Sequence, residues 1–279
     1  MLYGCLRNTG TAIFDATIQK IVVVLAIFFF GQFLALFLKP ANAFANEEEI
    51  TLASRVDLPP YTERGATGGI EVDLVTAILA EGGFRAKFIQ FPINRMVLSF
   101  VNQRTDGLLL QLQDVKTGGC VTDVYFEHAN VAVTLKEAGL TLARIEDLSN
   151  YAVLSFEGAT RFMRPAFKTA VEKSPHYVEV AFQETHLDLL YQGRFDTVVG
   201  DEWILRHSLK VLFDETGDYR EIVSHPIMEP LKYVAHFHKD FHCKAFNDGL
   251  TALRATGRYD AILKAHYERI MEIPGLEKR

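Results

Sequence analysis

Apolar residues crowd together at the start of the chain and are afterwards dealt out in short bursts. From 21 to 38 nearly every position is apolar, with Lys20 before the run and Lys39 and Pro40 after it. The small residues Ala41, Ala43 and Ala45 follow at alternate positions. A positive flank, an apolar stretch and a small-x-small site predict an export signal over 1–45, removed after Ala45, with Ala43 as the alternative. An uncleaved anchor is the competing reading, because the run nearly suffices to span a bilayer. A helix-breaking proline beside small residues argues for the peptidase.

Beyond residue 45 the period of the pattern switches repeatedly. A short buried strand is predicted over 50–54, stopped by Leu58, Pro59, Pro60 and Tyr61. Ile70, Leu74, Val75, Ile78 and Leu79 then recur at helical spacing until Gly82 and Gly83. A strand over 84–91, a helix over 95–101 and a buried strand over 108–110 follow. The order restarts after Asp147, with strand 151–156, helix 161–171, strand 177–182, helix 186–190, strand 197–200 and a helix from Glu202. Phe246, Leu250 and Leu253 mark one more helix, and Ile262, Leu263 and Ile270 another beyond Gly257. This alternation predicts an α/β protein, its mostly parallel sheets covered by helices, in two units that touch along a cleft.

Charge narrows the function classes. The 279 residues carry a formal net charge of −6. Residues 1–45 hold three basic side chains (Arg7, Lys20, Lys39) and one acidic (Asp15), so the remainder carries −8. So acidic a chain is not expected to bind nucleic acid. Two cysteines, Cys120 and Cys243, remain after export, into a compartment oxidising enough to pair them. His236, His238 and His242 beside Cys243 fit no closed zinc spacing, so neither a metal nor a cofactor is expected. The HExxH, GxSxG and GxxxxGK[ST] motifs are absent.

Several short motifs combine into a more specific signal. They are Leu58-Pro59-Pro60-Tyr61, Gly69-Ile70-Glu71-Val72-Asp73-Leu74, Thr105-Asp106-Gly107, Phe156-Glu157-Gly158, the stretch from Phe195 to Asp201, and Gly257-Arg258-Tyr259. In this order and spacing, over roughly 50–267, the chain resembles the family-3 extracellular solute-binding proteins. That family includes the glutamine- and histidine-binding proteins of amino-acid ABC transporters. The resemblance implies a two-lobed, periplasmic-binding-protein-like (type II) fold whose chain crosses twice between the lobes. Lobe 1 would comprise 46–130 and 232–279, and lobe 2 would comprise 131–231. Both cysteines then fall in lobe 1, which makes a Cys120–Cys243 disulfide an expectation.

In open α/β sheets ligands meet the loops at the carboxyl ends of the strands. Arg55 follows the first strand; glutamine-binding relatives carry an acidic residue there for the ligand's amino group, so Arg55 inverts the local charge. Arg95 opens a helix, where the dipole disfavours a cation and hints at an anionic partner. Arg161, behind Gly158-Ala159-Thr160, would join backbone N–H groups in a carboxylate site. Asp201 matches the lobe-2 acidic residue that accepts bonds from an ammonium group in relatives, and it is also a good helix cap before Glu202. Gln111 and Gln113 fall where strand-end polar groups of relatives touch the ligand, while Tyr61 and Trp203 offer aromatic walls. One departure stands out. Amino-acid binders of the family carry an arginine that forks onto the α-carboxylate, and the matching stretch here is Lys116-Thr117-Gly118-Gly119-Cys120-Val121.

The expected function is non-catalytic capture of a small polar solute, anionic or zwitterionic, in the periplasm. The protein would act as a monomer and serve the membrane permease of an ABC importer. Two alternatives share the resemblance: a periplasmic enzyme like the cyclohexadienyl dehydratases, and a ligand-sensing subunit for a membrane signalling partner.

Overall fold

The apolar bursts build two separate sheets in the computed structural model, which describes residues 48–56, 58–113 and 115–272. The predicted export signal, with Ala43 and Ala45, lies outside the described residues. In the first sheet β1 (Glu48–Arg55) runs parallel to both β2 (Phe84–Phe91) and β3 (Gly107–Leu112). A strand from far down the chain, β11 (Leu231–Phe237), pairs antiparallel with β3 and with the short β4 (Cys120–Val121) and β5 (Phe126–His128). In the second sheet β7 (Ala152–Phe156) is parallel to β8 (His176–Val180) and β9 (Thr197–Asp201). There β6 (Asn130–Leu135) lies antiparallel to β9 and to β10 (Ile222–His225). The chain thus passes between sheets twice, at Ala129 and again over 226–230.

Eight α-helices are described: α1 (Ile70–Glu81), α2 (Ile93–Val101), α3 (Ala159–Phe162), α4 (Pro165–Val171), α5 (His186–Tyr191), α6 (Glu202–Thr216), α7 (Asp240–Ala255) and α8 (Arg258–Met271). Successive residues of a strand face opposite sides of its sheet. Accordingly Leu52 packs with Leu74, Phe246 and Leu250 of α1 and α7, while its neighbour Ala53 packs with Met96 and Phe100 of α2. The second sheet repeats the arrangement: Val198 meets Leu187 and Leu205, and Val199 meets Phe167 and Leu148. Sheets covered on both faces need strands that are apolar throughout, which is the pattern seen in the sequence. The first lobe is held tightly. A Cβ on Gly249 of α7 would sit 2.1 Å from the Ile78 carbonyl oxygen of α1. Cys120 of β4 and Cys243 of α7 are joined by a disulfide, their Cα atoms 6.2 Å apart.

One predicted helix is broken. The expected 161–171 helix divides into α3 and α4, because Pro165 opens α4 and Arg164 before it is extended, with ψ 153°. A residue preceding proline is pushed out of the helical region, and proline itself is well suited to a first turn. The strands β6, β10 and β11 have no counterpart among the elements predicted from periodicity.

Candidate functional site

Two strand ends, one from each sheet, meet beside the crossings. After β1 the chain turns sharply: the Leu58 N–H donates to the Thr62 carbonyl (2.9 Å) and the Tyr61 N–H to that of Leu58 (2.8 Å). This turn drives the Tyr61 ring inward until it is fully buried. On the other side β9 ends at Asp201, the cap residue of α6. The Tyr61 hydroxyl donates to Asp201 Oδ1 at 2.7 Å, a bond between residues 140 positions apart. The N–H groups of Trp203 and Ile204 donate to the same oxygen, each at 3.0 Å. Asp201 Oδ2 is buried and has no hydrogen-bond partner among the described residues. It lies 3.7 Å from Nδ1 of His128, the last residue of β5 before the first crossing. The His128 ring stacks on Tyr61, with centroids 4.3 Å apart, and stands 4.5 Å from that of Tyr233.

A second buried carboxylate lies in the first lobe. Glu71, in the first turn of α1, accepts a 2.5 Å bond from the Tyr125 hydroxyl and a 3.3 Å bond from that of Thr62. The Tyr125 oxygen in turn accepts the Leu110 N–H at 3.1 Å. Leu110 reaches it through a left-handed backbone, φ 49°, within the stretch of β3 where pairing with β11 loses register. Few non-glycine residues adopt this region.

Burial governs the charges of the cluster. It raises Glu71 to about 7, against the lowering effect of the Tyr125 and Thr62 bonds and of Arg55. It raises Asp201 to about 6, against the bonds from Tyr61, Ile204 and Trp203. Burial, with the nearby Arg55 charge, lowers His128 to about 3, so its imidazole is neutral. Arg55 is half-buried and its guanidinium forms no hydrogen bond or ion pair with any described residue; burial lowers its pKa, opposed by Tyr233 and Glu71. The first lobe thus supplies an unpaired cation and the second an unpaired carboxylate oxygen. Such a combination can hold a molecule bearing both a donor-rich or cationic end and an acceptor-rich or anionic end.

The residues singled out in the sequence divide into two groups. Arg55, Tyr61 and Asp201 belong to this cluster. Trp203 contributes its N–H to Asp201 and sets its half-buried ring edge-on to Tyr267, at 5.6 Å. Gln111 is buried, its amide turned back onto the Leu109 carbonyl at 2.9 Å. Arg95 and Gln113 are exposed and make no described contact with the cluster. Arg161 is exposed too, its guanidinium 4.6 Å from the centre of its neighbour Phe162. The N–H groups expected to join it in a carboxylate site already hold a carboxylate of the protein. Glu179 Oε2 accepts from the Gly158 N–H at 2.7 Å. Its Oε1 accepts from the Thr160 N–H and hydroxyl, each at 2.9 Å, and from Tyr177.

Glu71, Tyr125, His128 and Tyr233 were not singled out by sequence. Only Glu71 carried a local signal: it shares the 71, 75, 78 face of α1 with buried Val75 and Ile78, where an acidic side chain is out of place. The histidines at 236, 238 and 242 are dispersed. His236 bonds Thr117, His238 stacks on Phe100, and His242 lies among Phe84, Phe237 and Phe241. Among the described residues no group of three or more metal-ligating side chains is assembled.

The fold is that of the two-lobed periplasmic binding proteins. Neither a family model nor a curated protein matches the sequence, but solved structures match the fold. An ancestral cationic amino acid solute-binding protein superposes with a TM-score of 0.62 at 16% identity, over 80% of this chain and 96% of that one. The second substrate-binding domain of Lactococcus lactis GlnP, in an open conformation, gives 0.58 at 20% identity over 78% and 95%. A histidine kinase sensor domain with similarity to periplasmic binding proteins gives 0.60 at 20% identity over 79% and 96%.

Proposed function

We propose that the protein is an exported, monomeric receptor that captures a small polar solute, an amino acid or a related zwitterion, for the permease of an ABC importer. The observation that carries this reading is the pairing of an unpartnered, half-buried Arg55 on one lobe with the unpartnered, buried Asp201 Oδ2 on the other. Burying such groups without partners costs several kcal/mol in general, so a molecule satisfying both stabilises the form in which the lobes meet. The anionic end of the solute goes to Arg55 rather than to Arg161, whose neighbouring N–H groups hold Glu179. Amino-acid-binding proteins among the structural neighbours support the solute class. Native mass spectrometry of protein purified without refolding is the test. A bound small molecule retained by wild type and lost from both Arg55→Ala and Asp201→Asn supports the reading, whereas retention by both variants refutes it.

A sensory role is the second reading, favoured by the likeness to a kinase sensor domain. It differs in the partner and not in the site. Co-purification with a permease or with a membrane kinase from the native host separates the two.

A further inference from the structure

We propose that the solute is captured together with a proton: when its anionic end pairs with Arg55, Glu71 takes up H+. This inference rests on the receptor reading above and deepens it. Glu71 is 2% exposed, in the first turn of α1. The Tyr125 hydroxyl donates to it at 2.5 Å and that of Thr62 at 3.3 Å. Tyr61, from the turn after β1, and Tyr233 of β11 also face it, and burial keeps both hydroxyls un-ionised. From α7 comes the uncharged Phe246, edge-on to Tyr125. On α1 itself Asp73 is engaged by His266 of α8 at 2.8 Å. Of the groups that act on Glu71, Arg55 is the one that brings a positive charge. A solute carboxylate on Arg55 cancels that charge and sets a second anion beside the cluster. Losing an opposite charge and gaining a like one both disfavour an ionised carboxyl. Protonation relieves the conflict, since the neutral acid still accepts the Tyr125 hydroxyl. Unliganded Glu71 titrates at about 7, so near neutral pH the change is within reach. Asp201, at about 6, and His128, at about 3, have already lost their protons at pH 8.

The test begins with calorimetric titration of each of the twenty L-amino acids into purified wild type. The tightest binder is then titrated at pH 8 in phosphate and in Tris, whose ionisation heats differ, so that the gap between the two enthalpies counts the protons exchanged. Wild type should take up a fraction of a proton, and Glu71→Gln none. Between pH 6 and pH 8.5 wild type should lose up to about tenfold in affinity relative to Glu71→Gln, the effect of a one-unit rise in the carboxyl pKa on binding. Carbon-13 NMR gives a reading without solute: Arg55→Ala, which removes the cation, should move the Glu71 titration to higher pH. Binding without proton uptake, uptake undiminished in Glu71→Gln, or a Glu71 titration unmoved in Arg55→Ala each overturns the inference and leaves the receptor reading standing. Failure of folded wild type to bind any of the twenty overturns the amino-acid reading, and the inference with it.

Discussion

Replacing Glu71 by glutamine isolates the electrostatic cost of the buried cluster. Burial lifts this carboxyl from 4.5 to about 7, so the folded protein binds its proton more tightly than the unfolded chain does. Linkage then fixes the sign. The stabilising contribution is complete below pH 4.5, where the group is protonated in both states, and is lost as pH rises to about 7. A displacement of this size corresponds to about 3 kcal/mol, at roughly 1.4 kcal/mol for each pH unit. Glutamine has the shape of the protonated acid and accepts the Tyr125 hydroxyl in the same way, but it never ionises. Urea denaturation of both proteins at pH 4 and pH 8 gives the comparison. The variant should gain about 3 kcal/mol on wild type between the two pH values. Contributions common to both, such as the parallel trend from Asp201, cancel in the difference. An equal gap at pH 4 and pH 8 would show that Glu71 is not held above its ordinary range, and the account of the cluster would fail.

The remaining expectations follow from single contacts. Gly249→Ala should lower stability by about 1–3 kcal/mol in thermal or chemical denaturation, because its methyl meets a backbone carbonyl that cannot rotate away; an unchanged transition would mean that α1 and α7 slide apart freely. Mass spectrometry of alkylated, unreduced protein should find no free thiol at Cys120 or Cys243. Replacing both cysteines by serine should cost up to about 5 kcal/mol for a loop of this length, and two alkylated cysteines in unreduced protein would contradict the bond. Arg55→Ala should weaken solute binding by about 2 kcal/mol or more, while Arg161→Ala binds as wild type does; the reverse order would return the anion site to the second lobe. Sequencing the N-terminus of exported protein should begin at Asn46, and recovery of an intact Met1 in the membrane fraction would favour the anchor.

Much of the architecture could be read before any coordinates because the central strands are buried on both faces. Runs such as Leu108-Leu109-Leu110 and Val198-Val199 leave little choice of element or place. The strands beside the crossings were harder to read. β11 carries Lys232 and His236 among its apolar residues, and it is a strand because β3, β4 and β5 supply partners more than a hundred positions away. The site divides along the same line. Arg55 and Asp201 announced themselves as charges at strand ends, whereas His128 and Tyr233 acquire meaning only when distant segments stack their rings together. Glu179 is the sharpest case. No local pattern in an edge strand indicates that its carboxylate bonds the N–H groups that a ligand would otherwise use.

The return of β11 also dictates an order of assembly. The second lobe is drawn wholly from the middle of the chain, so every strand of its sheet has been synthesised by residue 225. The first lobe begins earlier and finishes later: β1, β2 and β3 exist by residue 112, yet the strand that covers the edge of β3 and the helix that covers Leu52 and Leu74 arrive only after residue 230. Until then β3 presents an unpaired edge, and an apolar face meant for α7 stands open to water. A nascent chain of this topology therefore carries a sticky, unfinished half from residue 112 until α7 has been made, and over 226–255 that half stands beside one whose strands are all present. It is in that interval, rather than in the completed molecule, that it most needs a holding chaperone.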